Sequence, residues 1–148
     1  MEPDSDHKLT LRVVNALYVE AMVLADEARA YFDEACQDDR NQMNPLIRVT
    51  FSCESLKVTT RLMHVIAWLL SQKAISRGEG LYSDHARMGT ATSSDPEMLR
   101  DLPSDALRLI ESTSELYDRI KRLEGRIRSS EPAFSPARIL HSKLVGSF

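Results

Sequence analysis

The most apolar part of the chain lies at its centre and reads as one long helix. Asn44 is a favoured N-cap residue, Pro45 suits the first helical position, and Gly78 suits the position just after a helix end. From residue 62 to residue 70, every side chain except His64 is apolar. This pattern predicts a helix over about residues 45–77 that is surrounded on several sides by other helices. The apolar run is too short for a membrane span, which needs about 20 residues.

Two amphipathic helices are predicted on either side of this central helix, over about residues 8–36 and 103–129. Their apolar positions alternate by three and four residues, as in helical bundles. The first row comprises Val14, Leu17, Ala21, Leu24, Ala28, Tyr31 and Ala35, and the second comprises Leu102, Ala106, Leu109, Thr113, Leu116, Ile120, Leu123 and Ile127. Polar residues 37–43 predict a short connection. We therefore predict an all-α protein, an antiparallel three-helix bundle with long helices, in which the central helix contacts both others. Any apolar surplus on the central helix would leave a patch for a second copy or another protein.

Two further segments are not predicted to form long helices. Residues 79–101 form a long loop between the second and third helices, and loops of this length are functional or mobile. Within it, Asp95-Pro96-Glu97 predicts a short helical turn. Residues 131–148 contain Pro132 and Pro136 and are predicted to be a flexible tail with a weak apolar motif. The predicted domain therefore covers residues 1–130, followed by the tail.

Composition and charge narrow the class of protein. The 148 residues fit one domain, and the net charge of −3 argues against a generic nucleic-acid binder. The first 40 residues hold four basic and ten acidic side chains, whereas residues 41–80 hold five and two, as expected for neighbours with complementary charge. No signal-peptide pattern is visible. We therefore predict a cytoplasmic protein, in which Cys36 and Cys53 are expected to be unbridged, reduced thiols.

Candidate catalytic and metal-binding residues are few. His64 has no metal ligand or base at the positions three and four residues away, which predicts a histidine on a partly exposed or packed face. Asp84 and His85 lie in the loop without a nucleophile in a suitable context. Phosphate-binding glycine loops, Cys-x-x-Cys pairs and inward Glu-x-x-His pairs are missing from the sequence. The sequence therefore predicts no enzyme, no cofactor and no metal site.

The end of the third helix is basic and allows two interpretations. It could bind phosphate or dock an acidic partner. Alternatively, it is a solvated face with local ion pairs, each contributing about 0.2–0.5 kcal/mol, and the acid-first spacing favours this second interpretation. The cations are Arg119, Lys121, Arg122, Arg126 and Arg128, and the pairs would be Glu115–Arg119, Asp118–Arg122 and Glu124–Arg128.

Two stretches resemble a known family. The first covers residues 57–74, with Thr-Thr-Arg-Leu-Met and Ala-Trp-Leu-Leu as its most specific pieces. The second begins at Leu102-Pro103 and continues through Leu109-Ile110, Leu116-Tyr117 and Arg122-Leu123. Together they resemble the alphaproteobacterial RcdA family, the regulators of CtrA degradation, over roughly residues 44–79 and 102–127.

The resemblance implies a three-helix bundle that forms a homodimer and acts as a non-enzymatic adaptor in regulated proteolysis. Such an adaptor joins ClpX already primed by a response-regulator-like factor, and carries cell-cycle regulators to the ClpXP protease directly or through a second adaptor. A structural homodimeric scaffold, or a weak nucleic-acid binder using the basic end of the third helix, are the alternatives. The candidate protein-binding residues are Arg61, Trp68, Arg119, Arg122, Arg126, Ile139 and Leu140.

Overall fold

Three long helices dominate the computed structural model, which describes residues 3–78, 87–130 and 144–146. They are α1 (Pro3–Ala30), α3 (Pro45–Ser76) and α5 (Ser104–Ser130). Two short helices, α2 (Gln37–Gln42) and α4 (Pro96–Leu99), lie in the connections, and the described residues contain no strand. The predicted all-α class with three long helices is confirmed. The short helix predicted at Asp95-Pro96 is also present, and its Asp95 carboxylate caps the amide of Glu97 at 3.0 Å.

The boundaries of α3 follow the local chemistry of its ends. The Asn44 side chain accepts a hydrogen bond from the Ile47 amide at 2.9 Å, and Pro45 occupies the first turn. After Ser76 the chain reaches Gly78, whose φ of 73° is accessible to glycine at no steric cost. Residues 37–43, predicted to be a plain connection, instead contain the short helix α2 over Gln37–Gln42. The first helix begins at Pro3, several residues before the predicted start, because proline needs no amide hydrogen bond in a first turn.

A π-helical turn, Tyr31–Ala35, extends α1 and shifts its register by one residue. The amide of Cys36 donates to the carbonyl of Tyr31, five residues back, at 2.8 Å. The predicted row is buried from Val14 to Tyr31, but Ala35 is exposed and Cys36 is buried in its place. The wider turn adds one residue to the helix, so the heptad ends one position later than the sequence pattern predicts.

Helices α1 and α3 pack antiparallel, as predicted. At one end of the pair, the rings of Phe32 and Phe51 lie 5.5 Å apart between centroids. Further along the pair, the Lys73 ammonium lies 3.8 Å from the centroid of the Tyr18 ring. Tyr18 precedes Phe32 in the chain, whereas Lys73 follows Phe51, so the two helices run in opposite directions.

The direction of α5 differs from the predicted antiparallel order. Arg108, near the start of α5, bonds Glu27 at 3.0 Å, and Arg119, further along, bonds Glu20 at 2.7 Å. Helix α5 therefore runs antiparallel to α1 and parallel to α3. The physical reason is the connection between α3 and α5, which is long enough to return along the whole bundle before α5 begins.

The core lies where α3 meets the two other long helices. Trp68 and Leu69 of α3 are 3% and 0% exposed, and Leu109 and Leu116 of α5 are 0% and 1% exposed. Thr113, at a predicted core position, is buried and its hydroxyl donates to the Leu109 carbonyl at 2.8 Å. The predicted buried rows of α1 and α5 are thus confirmed, apart from the shift at Ala35 and the half-buried last positions, Leu123 and Ile127.

Candidate protein-binding surfaces

One side of α3 is not covered by the other helices and carries an apolar row. We call this row the α3 crest. All of its members are exposed, and they are spaced by three and four residues in alternation. They are Leu46, Val49, Cys53, Leu56, Thr60, Met63, Ala67 and Leu70. Leu56 and Met63 are 67% and 64% exposed, so the prediction that the apolar part of the central helix is surrounded holds only for the opposite side. A row with this spacing is the pattern that packs against another helix.

A groove between α1 and α3 lies beside the crest. Its volume is about 570 Å³. Ala25 of α1 and Phe32 of the π-helical turn form one wall, and Ile66 lies on the α3 wall. The groove shares Met63, Ala67 and Leu70 with the crest. The crest and the groove therefore make one continuous apolar surface, the location of the apolar surplus expected from the sequence.

On another side of the bundle, residues 87–95 form no regular secondary structure and lie across α3 and α5, and we call this segment the strap. On the α5 side, the Met88 amide donates to the Glu124 carboxylate at 2.6 Å. The Tyr117 hydroxyl donates to the Gly89 carbonyl at 2.6 Å and accepts from the Ala91 amide at 3.2 Å. The Met88 side chain is 3% exposed, so it anchors the start of the strap.

The α3 side holds the second half of the strap with charged side chains. Nη2 of Arg61 donates to the Ser94 hydroxyl at 2.8 Å and to the Thr92 carbonyl at 3.3 Å. The Ser94 hydroxyl donates in turn to the Glu54 carboxylate. Lys57 pairs with Glu54 at 2.9 Å and contacts the strap backbone at residue 93. The strap thus crosses a small ionic cluster on the surface that it covers.

Arg61 and Trp68, two of the predicted protein-binding residues, are both 3% exposed in this chain alone. Burial lowers the pKa of the Arg61 guanidinium, and the carboxylates of Glu54 and Asp118 act in the opposite direction. Arg61 fastens the strap and Trp68 packs in the core. Their role in binding a partner stays a prediction.

The basic end of α5 differs from the predicted set of local pairs. Arg119 bonds both oxygens of Glu20 on α1, at 2.7 and 3.2 Å, and this hydrogen bonding raises the pKa of Arg119. Glu124 turns inward to the strap. Within the described ranges, none of the three predicted pairs forms, and Arg122 and Arg126 are exposed without an ion pair. The role of those two arginines in binding an acidic partner stays a prediction.

The remaining predicted residues are placed as follows. Ile139 and Leu140, and the loop pair Asp84 and His85, lie outside the described residues. His64 is half-buried, as predicted, and its ring packs against Gly89 of the strap. Both cysteines are free thiols. Among the described residues, no group of three His, Cys, Asp or Glu side chains could hold a metal ion. None of the helices described is long and apolar enough to span a bilayer.

Gly89 of the strap lies against the His64 ring of α3, and this gives a prediction. A Cβ atom at Gly89 would lie 2.7 Å from the Cε1 and Nε2 atoms of His64. Gly89→Ala is therefore expected to loosen the strap by about 1–3 kcal/mol, the usual cost of overpacking. Hydrogen exchange at the Met88 and Ala91 amides should be faster than in the wild type.

The matched control for Gly89→Ala is Gly125→Ala on α5, where a Cβ atom meets nothing within 4 Å. It should leave hydrogen exchange at the strap amides unchanged, because its only expected effect is the higher helix propensity of alanine within α5. Adding His64→Ala to Gly89→Ala should restore slow exchange, since it removes the obstructing ring. Equal exchange in the wild type and Gly89→Ala would contradict the close packing of the strap on α3.

Comparisons with known proteins bear on the whole of this architecture. The sequence model of a family described as "Protein of unknown function (DUF1465)" matches residues 5–147. The crystal structure of RcdA from Caulobacter crescentus CB15 is similar, with 29% sequence identity and a TM-score of 0.63 over 76% of this chain and 88% of that chain. No curated protein matches the sequence. The resemblance to RcdA predicted from the sequence is confirmed, and the match over nearly its whole length shows that this chain belongs to the DUF1465 family.

Proposed function

We propose that this protein is a non-enzymatic adaptor in regulated proteolysis, which works in the cytoplasm and helps to deliver cell-cycle regulators to the ClpXP protease. Two findings support the proposal: the similarity to RcdA and the exposed α3 crest. The similarity to RcdA is the observation that carries it, and the crest adds a contiguous apolar surface of the kind that marks interaction sites. In this role the protein would bind ClpX with its priming factor, a second adaptor, and cargo.

The occupant that we propose for the crest is a second copy of the chain. The crest contains no charged residue, so pairing it with itself brings no like charges together. From Leu46 to Leu70 it extends over about 36 Å at 1.5 Å per residue, the length of an ordinary helix–helix interface. Two crests related by a two-fold axis perpendicular to the helices would run antiparallel and pack with the alternating spacing that suits paired helices. The protein is therefore proposed to act as a homodimer.

Partner proteins would then use surfaces away from the crest. Arg122 and Arg126 are exposed cations without an ion pair among the described residues, and they suit an acidic patch on ClpX, its priming factor or a second adaptor. Arg119 is already held by Glu20 and would contribute less. Ile139 and Leu140 belong to the apolar motif of the tail, which we propose as a peptide-like docking segment.

Affinity capture tests the adaptor role. The full-length protein is immobilised and exposed to cytosolic lysate of its native host, and the retained proteins are identified by mass spectrometry. We expect ClpX, its priming factor or a second adaptor among them. The double variant Arg122→Glu with Arg126→Glu should retain at least about tenfold less of these proteins, because each reversed charge turns attraction into repulsion.

The matched control is Arg12→Glu, a reversal at an exposed position on α1, which should retain the same proteins as the wild type. Recovery of the chain alone, under conditions in which it stays folded, would reject the adaptor role and favour the structural homodimeric scaffold.

A further inference from the structure

The bonds that hold the strap mostly use its backbone. Side chains of α3 and α5 contact backbone groups at residues 88, 89, 91, 92 and 93, and Ser94 provides a contact through its own side chain. Recognition of an extended main chain, with one pocket for a side chain, is how proteins bind extended peptides of varied sequence. Here the pocket holds Met88. The surface between α3 and α5 therefore has the chemistry of a peptide-binding groove, filled by a segment of the same chain.

The walls of this groove are ionic, unlike the rest of the core. Glu54 and Arg61 are 3% exposed and Glu124 is 8% exposed, in each case next to the strap that they contact. If the strap leaves, these groups regain water, so opening does not strand an unpaired charge in an apolar interior. Met88 is the main apolar side chain that opening would expose. Such a groove can be emptied and filled again without unfolding the bundle.

The strap does not satisfy the groove completely. Nη1 of Arg61 and Nδ1 of His64 are buried, and no described protein atom hydrogen-bonds to either. Buried polar atoms are normally paired, and an unpaired one destabilises the arrangement that leaves it so. A peptide that placed a carboxylate or carbonyl oxygen next to Arg61 would therefore bind this groove better than the strap does.

We infer that the groove between α3 and α5 is a binding site for an extended peptide segment of a partner protein, and that the strap occupies it in the free chain. The peptide it fits has an apolar anchor in the place of Met88, a glycine next to it, as the close approach of His64 requires, and an oxygen acceptor opposite Arg61. This inference rests on the proposed adaptor role in one respect: that role identifies the partner as a protein that is delivered to the protease. Its test needs no protease.

The first test is hydrogen exchange on the full-length chain. The Met88 and Ala91 amides, which bond α5 side chains, should exchange through a local opening about 100-fold faster than the core amides of Val65 and Leu69. Their rates should also change little with low concentrations of denaturant, because a local opening exposes little surface. If these two amides exchange as slowly as the core amides, the strap is an integral part of the fold and the inference is wrong.

The second test supplies the strap in trans. A fluorescently labelled peptide with the sequence of residues 87–95 is titrated into the full chain and into a variant with residues 87–95 replaced by a Gly/Ser segment of equal length. The variant should bind the peptide about tenfold or more tightly than the full chain, because it lacks the tethered competitor. A control peptide with leucine in the place of Gly89 should not bind, because the leucine side chain would meet His64.

Each outcome of the second test is decisive when combined with the first. A variant that stays folded by circular dichroism but binds neither peptide overturns the inference, as does equal binding of both peptides. If the variant does not fold, the exchange measurement on the full chain decides. Peptide binding without capture of any protease component would reject the adaptor role and leave the peptide groove standing.

Discussion

Replacing Leu116 with aspartate is expected to unfold the protein. Leu116 is 1% exposed at the centre of the α5 core row. A carboxylate there has no partner, and burying it, even after it takes up a proton, costs several kcal/mol in addition to the apolar packing that the leucine provides. Because a domain of this size is stable by only about 5–15 kcal/mol, one such change removes most of the margin. Trp68→Asp, at a 3% exposed position on α3, should do the same.

Far-UV circular dichroism and thermal melting measure this effect. The matched control is Val19→Asp, the same kind of change on α1 at a position that is 62% exposed, which should shift the melting temperature only slightly. If Leu116→Asp or Trp68→Asp melts like the wild type, the assignment of the core is wrong.

The second large effect is expected for self-association. The double variant Leu56→Asp with Met63→Asp places two carboxylates on the crest of each chain, where both replaced side chains are more than half exposed in the monomer. In a crest-to-crest dimer these charges would be desolvated and close to one another. The dimer should weaken about a hundredfold or more, which corresponds to roughly 2.8 kcal/mol, while each monomer stays folded.

Sedimentation equilibrium over a wide concentration range measures the dimer dissociation constant of each variant. Thermal melting checks that each variant is still folded. The control is Val19→Asp with Val23→Asp, an equal number of exposed apolar residues changed on α1, which should leave the dimer intact. A wild-type chain that stays monomeric at high concentration would remove the dimer from the proposal. A crest variant that still dimerises would move the interface to another surface.

The sequence was most informative about single helices. Asn44, Pro45 and Gly78 act within one or two turns of their own position, so the ends of α3 could be predicted from local chemistry. The π-helical turn could not, because the regular heptad spacing selects Ala35, and no local pattern marks the extra residue that buries Cys36 in its place. The direction of α5 could not be predicted from the sequence either. It depends on where the connection travels, and the bonds that fix its path, such as Arg61–Ser94 and Tyr117–Gly89, join residues far apart in the chain.

The candidate surfaces show the same limit. The spacing of the crest is visible in the sequence, but periodicity does not say which apolar side of α3 the other helices cover. One feature of the sequence pointed to the surface under the strap. Glu54 and Arg61 are seven residues apart, and so lie on one side of a helix that is otherwise largely apolar. The predicted local pairs of α5 did not form, because Arg119 reaches Glu20 on another helix and Glu124 turns to the strap.

The parallel order of α3 and α5 also gives the bundle an electrical polarity. Ile127 of α5 lies near Ile75 and Ser76 of α3, so the carboxyl ends of both helices lie side by side. The amino end of α1, which carries the opposite partial charge, lies at the same end of the bundle. Each helix end carries a partial charge of about half an elementary unit, so this pole has a net negative helix field. Lys73 and Arg128, in the last turns of the two helices, are placed to balance it. The parallel order of α3 and α5 therefore explains why the last turn of each of these helices carries a cation.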